Sequence, residues 1–200
     1  RLMGPVWAGT RYCGGTYEGG KFTSEGFQLL ENMAELGYTL DIAHMREEAA
    51  LQALDRYPGA IIASHSNARA LLKEDPTHRH LPDDVIQRLV ERDGVIGIVP
   101  FNRFLLSGWK NTDSRELVRL KMVVDHIDHV CQLAGDAKHV GLGTDYDGGF
   151  GWPAIPLELN TIADLQKLSE PLMERGYSEL DIDDIFYRNW QRLLEQTLPA

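Results

Sequence analysis

Residues 38–65 read YTLDIAHMREEAALQALDRYPGAIIASH, and this stretch decides the fold. Tyr38-Thr39-Leu40-Asp41-Ile42-Ala43 is a short strand-like run ending at His44. From about Glu47 to Tyr57 the spacing changes to that of a helix, and Pro58-Gly59 breaks it. Ala60-Ile61-Ile62-Ala63-Ser64 then forms a second buried-strand run, ending at His65.

The same alternation extends in both directions. Upstream, Phe27, Leu30, Met33 and Ala34 recur at helical spacing behind Thr23 and Ser24 as capping residues, with Gly37 as the stop. Downstream, a helix is expected from Pro82 to Arg92, with Val85, Ile86, Leu89 and Val90 on its apolar face and Gly94 at its end. Val95-Ile96-Gly97-Ile98-Val99 is the third strand. A long helix from Ser114 to Ala134 follows, with Asp113 and Glu116 as its cap pair, and then the fourth strand, Val140-Gly141-Leu142-Gly143. Two helices, Ile162 to Arg175 and Leu180 to Gln196, close the chain without a strand between them, the second opened by the capping-box pair Ser178 and Asp181.

Parallel strands need crossover connections, and helices supply them, so this order reads as βα units in one α/β domain spanning residues 1–200. A doubly wound sheet and part of a barrel both fit. No glycine-rich phosphate fingerprint follows any strand, which disfavours a dinucleotide site.

The 200 residues are 43% hydrophobic and 25% charged, enough to fill one sizeable core. A net charge of −10 with scattered basic residues argues against a nucleic-acid partner and for a small molecule or another protein. Cys13 and Cys131 define no disulfide framework and read as ordinary free thiols. No run of 18 apolar residues spans a membrane, and Arg1 to Thr10 lack the charged start and apolar stretch of a signal peptide, so compartment is left open.

Chemistry-bearing residues gather at strand ends. His44, His65 and Asp145 each follow the C-terminal end of a strand, which in parallel barrels is the active face. Two neutral imidazoles on neighbouring strand ends suit zinc, and an acid at another strand end can deprotonate a metal-bound water. Arg79 lies in the loop after the second strand, where a guanidinium can clamp a carboxylate in bidentate fashion. His78 and His80 flank it and are left out of the metal site. Asp147, Gly148 and Gly149 form a loop that lets backbone approach a ligand. Asp125, His126, Asp128 and His129 look metal-like in a row, but their helical positions assign them surface or second-layer polar roles.

The ordered set Asp41-Ile42-Ala43-His44, Ser64-His65-Ser66-Asn67-Ala68-Arg69-Ala70-Leu71, Arg79-His80-Leu81-Pro82-Asp83-Asp84 and Gly143-Thr144-Asp145-Tyr146-Asp147-Gly148 resembles the membrane (renal) dipeptidase family of zinc metallopeptidases. Arg175-Gly176-Tyr177-Ser178 and Asn189-Trp190 fit the family's closing helices, so the resemblance covers nearly the whole chain.

The resemblance implies a (β/α)₈ TIM-type barrel, of which this chain is about the last half, and a metallodipeptidase that hydrolyses dipeptides with a water bridging two zinc ions. His44 and His65 match two histidines on one zinc, Asp145 the active-site acid, which handles protons or holds the substrate's amino group, and Arg79 the arginine that recognises the free carboxylate. The family's remaining ligands, an HxD pair and a bridging Glu, fall before Arg1. The expectation is therefore that an N-terminal barrel portion or a complementing chain completes the site; a homodimer is among the assemblies implied. At Trp7 many family members have a histidine that contacts the reacting carbonyl. Its replacement opens two alternatives: a related amidohydrolase acting on another amide or a lactone, and a catalytically inactive binding homologue.

Overall fold

Leu40 pairs with Ile61, and Ile96 with Val140, all in parallel register. These pairings belong to five short strands: β1 (Leu2–Met3), β2 (Thr39–Asp41), β3 (Ile61–Ile62), β4 (Ile96–Ile98) and β5 (Val140–Leu142). The computed structural model describes residues 1–9, 11–72 and 78–198. Within them β1-β2-β3 form one parallel sheet and β4-β5 another, and a parallel bridge between Ala63 and Ile96 joins the two. Neighbours in space are neighbours in sequence, with no reversal of strand order of the kind a doubly wound sheet shows.

The crossovers are α1 (Ser24–Glu35), α2 (Glu47–Arg56), α3 (Asp83–Glu91) and, after a one-turn α4 (Asn102–Leu105), α5 (Leu120–Ala134). Thr23 caps α1 by accepting the Gly26 N–H, and Gly37 at φ 66 turns the chain toward β2. Leu40, Ile61, Ile62, Ile96, Ile98 and Val140 are fully buried, so the strands are apolar on both faces, as parallel strands under helices require. Each such side chain contributes about 2 kcal/mol by leaving water.

Local chemistry redraws three expected elements, and β1 and α4 are additions. The single helix from Ser114 to Ala134 is a 3₁₀ turn, Arg115–Leu117, then extended backbone at Val118 and Arg119, then α5. The Glu158 carboxylate accepts the Leu120 N–H and pairs with Arg119, so it anchors the start of α5, while the Arg115 guanidinium is drawn to the carbonyls of Ile155, Pro156, Leu157 and Leu159. Asp113 and Glu116 do not pair as a cap; Asp113 accepts the Lys110 N–H and Ser114 accepts that of Glu116.

The Ile162 to Arg175 helix is a 3₁₀ stretch, Ile162–Leu168, followed by α6 (Ser169–Glu174). The last helix divides into α7 (Glu179–Asp183), a π-helical turn (Asp184–Arg188) and α8 (Asn189–Thr197). The Ser178–Asp181 capping box is present. At the division, the Asn189 amide donates to the carbonyls of Ala137 and Val140, and the Trp190 indole donates to Leu142 O. A Cβ at Gly141 would fall 2.4 Å from the Trp190 Nε1, so the glycine makes room for this docking. β1, two residues long, carries too little pattern to be read from sequence.

Candidate metal centre and active-site cleft

His44, His65 and Asp145 each stand three residues beyond the last residue of a strand, β2, β3 and β5 respectively. The parallel sheet therefore delivers all three to one end. His44 and Asp145 sit at φ 68 and φ 51, left-handed backbone that side chains with a Cβ adopt at a cost of about 1–3 kcal/mol and that clusters at functional sites. Gly97 and Gly143 make the approach of the strands possible. A Cβ on either would lie 2.0–2.1 Å from the Ser64 carbonyl oxygen, next to His65.

The two imidazoles face one another, His44 Nε2 to His65 Nε2, at 2.9 Å. Their other nitrogens are held from behind. Ser64 Oγ lies 2.5 Å from the Asp41 carboxylate and 2.6 Å from His65 Nδ1. A serine hydroxyl has one hydrogen. It goes to the carboxylate, so His65 Nδ1–H must donate to Ser64 and His65 Nε2 is a bare lone pair. Thr16 Oγ1 contacts His44 Nδ1 at 2.9 Å. With His65 Nε2 unprotonated, the close approach demands either a proton on His44 Nε2 or a cation shared by both nitrogens. Two nitrogens each about 2 Å from one zinc lie roughly 3 Å apart, so the spacing fits a shared ion.

Burial, then the positive charges of Arg79 and a protonated His65, pushes His44 down to about 3. Burial and Arg79 lower His65 as well, against the opposing pull of Asp145, Asp41 and Asp147. Both rings are thereby kept in the neutral form that binds metals. Among the described residues no group of three or more His, Cys, Asp or Glu side chains converges as a metal site. Among the described residues His44 and His65 offer two facing nitrogen donors, and a four-coordinate zinc needs further ligands.

Arg79 is 3% exposed. Its guanidinium donates to Ser66 Oγ at 2.9 Å and to the His65 carbonyl at 2.6 Å, and lies 5.3 Å from the centre of the Phe104 ring. The loop that carries it is clasped at Asn67, whose amide donates to the carbonyls of Val99 and Phe104 and accepts the Val99 N–H. His126, buried on α5, accepts the Ala68 N–H. Burial, with the nearby His80 and His129, pushes His126 down to about 3. The stretch from Ser64 to Ala68 thus positions His65 and Arg79 residue by residue.

His44, Arg79 and Asp145 line a common cleft of about 560 Å³. Asp145 reaches it because Gly148 follows; a Cβ there would lie 2.3 Å from the Asp145 carboxylate. Trp7 and Tyr17, 62% and 67% exposed, meet edge to face at the cleft, with Trp7 5.6 Å from His44. Phe101 stacks on Phe150 at 4.3 Å and meets Phe104 edge-on.

His80 lines the cleft against Phe104 and is not at the His44–His65 pair; His78 sits at φ 49. Asp125 and Asp128 pair with Arg175, and His129 with Asp83, in keeping with their second-layer reading. Cys13 and Cys131 are free and buried, and burial pushes both thiols up to about 12. Sequence reasoning missed Thr16, Asn67 and the Asp41–Ser64 pair behind His65. Asp41 and Ser64 stood inside the quoted motifs, but nothing in one dimension ties them together.

Residues 7–199 match the sequence model of the membrane dipeptidase family, peptidase family M19. The chain belongs to the membrane dipeptidase family. It is 31% identical to an uncharacterized protein of Klebsiella pneumoniae over 98% of this chain and 71% of that protein. An uncharacterized dipeptidase of Schizosaccharomyces pombe is also 31% identical, over 89% of this chain but 42% of its own length. The crystal structure of a Rhodobacter sphaeroides metallopeptidase, liganded with a phosphinate mimic of the dipeptide L-Ala-D-Ala, superposes with a TM-score of 0.82 at 29% identity over 98% of this chain and 56% of that one. This member of the membrane dipeptidase family therefore spans little more than half of that solved relative. Among its described residues no helix is long and apolar enough to cross a membrane.

Proposed function

We propose that this chain is the C-terminal part, about the last half, of a (β/α)₈ barrel dipeptidase that uses zinc. The observation that carries the reading is the 2.9 Å approach of His44 Nε2 and His65 Nε2, with His65 Nδ1 held by the Asp41–Ser64 pair. Five parallel strands in sequential order and a match covering 56% of the solved Rhodobacter relative support the barrel. Preceding sequence or a complementing chain supplies the remaining ligands, and the completed site holds two ions; the solved Rhodobacter relative, a metallopeptidase, supports a metal there.

Zinc, when bound, supplies a Lewis acid that polarises the scissile carbonyl and acidifies the attacking water. His44 and His65 hold it through their Nε2 atoms. Arg79, fixed to Ser66 and the His65 carbonyl, fronts the cleft where a substrate's free carboxylate binds, which restricts substrates to dipeptides and related acyl amino acids. Asp145 holds the substrate's amino group or accepts the proton of the attacking water and returns it to the leaving nitrogen. The ligand of the Rhodobacter relative, a dipeptide mimic, supports this substrate class.

Trp7 favours a second reading, a related amidohydrolase cleaving another amide or a lactone, because an exposed indole 5.6 Å from His44 replaces the family's polar histidine. The deciding experiment is zinc content together with turnover of a panel of dipeptides, N-acyl amino acids and lactones by the complete enzyme. Zinc with dipeptide turnover supports the dipeptidase. Turnover confined to the other amides or lactones supports the second reading, and zinc-free, inactive protein would make the chain a binding homologue.

A further inference from the structure

The described lining of the cleft is cationic in a chain of net charge −10. Arg79, Arg103 and Lys110 all contribute to it, and Asp145 is the single acid among the described lining residues. Arg103 and Lys110 are exposed, and among the described residues no ion pair or hydrogen bond engages either side chain. The acid nearest Lys110 in sequence, Asp113, is already held by the Lys110 backbone N–H at 2.8 Å. Arg103 adjoins Phe104 on α4, and the Phe104 ring lies 5.3 Å from the Arg79 guanidinium.

We propose that Arg103 and Lys110 determine specificity for a C-terminal residue with a second carboxylate, Asp or Glu. The inference rests on the cleft being a dipeptidase site. A substrate whose α-carboxylate sits on Arg79 lies beside Phe104 in the cleft that Arg103 and Lys110 also line. Two cations without a partner among the described residues focus a positive field on a concave wall, and a side-chain carboxylate supplies a counter-charge. An isosteric amide supplies the same shape without the charge.

The test compares Ala-Glu with Ala-Gln in the complete zinc-loaded enzyme and in an Arg103→Gln/Lys110→Gln variant, at low and high salt. The ratio of kcat/KM within each protein cancels any general loss from substitution. We expect Ala-Glu to be favoured by about tenfold at low salt, the preference to lie in KM, and the ratio to fall to about one in the variant and to shrink with salt. A ratio near one in the unsubstituted enzyme, or one the double substitution leaves unchanged, overturns the proposal while leaving the dipeptidase reading intact. If neither peptide is cleaved, the dipeptidase reading falls, and calorimetric binding of the same two peptides decides the cationic site: tighter Ala-Glu binding that the variant abolishes supports it, and equal or undetectable binding overturns it.

Discussion

His44 Nε2 and His65 Nε2 face each other at 2.9 Å, the first from the turn after β2 and the second from the loop after β3. Each comes from the C-terminal end of its strand, so the parallel pairing of Leu40 with Ile61 is what makes them a pair. His44→Ala and His65→Ala should each lower bound zinc and abolish turnover while leaving the far-ultraviolet circular dichroism unchanged. Unchanged zinc in both variants, read by atomic absorption, would remove the metal assignment.

Ser64→Ala leaves His65 in place but takes away the acceptor that fixes its tautomer. Loss of such an orienting partner weakens metal binding by about 10–100-fold. Competition with a chelator of known affinity measures this, and an affinity equal to the unsubstituted protein's would show that the Asp41–Ser64 pair serves folding alone.

Arg79→Lys keeps the charge and loses the planar fork. KM for free dipeptides should rise about tenfold or more, with little change for C-terminally amidated ones. Equal losses on the two classes would argue that Arg79 acts only by bracing the loop through Ser66 and the His65 carbonyl.

At Gly148 the backbone passes so near Asp145 that a single methyl collides with its carboxylate. Gly148→Ala should therefore depress kcat about 100-fold and leave zinc content intact. Full activity in that variant would detach Asp145 from catalysis.

His126 ties stability to pH. Its folded-state value is pushed down to about 3 from an ordinary 6.5 by burial, with His80 and His129 adding to the shift and Asp125 opposing it. Between these limits the unfolded chain binds the proton and the folded chain does not. Stability is thus complete above about pH 6.5 and declines as pH falls toward 3, by up to about 1.4 kcal/mol per pH unit from this group. His44 and His65, also lowered, act in the same direction in metal-free protein. His126→Asn retains an acceptor for the Ala68 N–H and should flatten the decline between pH 6 and 4 in urea titrations. An unaltered slope would mean that His126 opens to solvent before unfolding.

Much of this was legible in one dimension because it depends on near neighbours. The residues of β2 to β5 stood out as apolar runs, α1 to α3 as periodic segments between capping residues and glycines, and His44, His65 and Asp145 as polar residues just past strand ends. The breaks at Val118 and at the π-helical turn were not legible. Glu158 and the carbonyls between Ile155 and Leu159, far along the chain, shape the first; Asn189 and Trp190 docking on β5 accompanies the second.

By itself the sequence determined the alternation of strand and helix and which side chains sit at strand ends, since periodicity and capping are properties of consecutive residues. Only the tertiary structure decided that His44 meets His65, that the one hydroxyl proton of Ser64 goes to Asp41 and frees His65 Nε2, and that Arg103 and Lys110 share a cleft with Arg79. Those facts depend on strand register and loop packing, which bring together residues tens of positions apart.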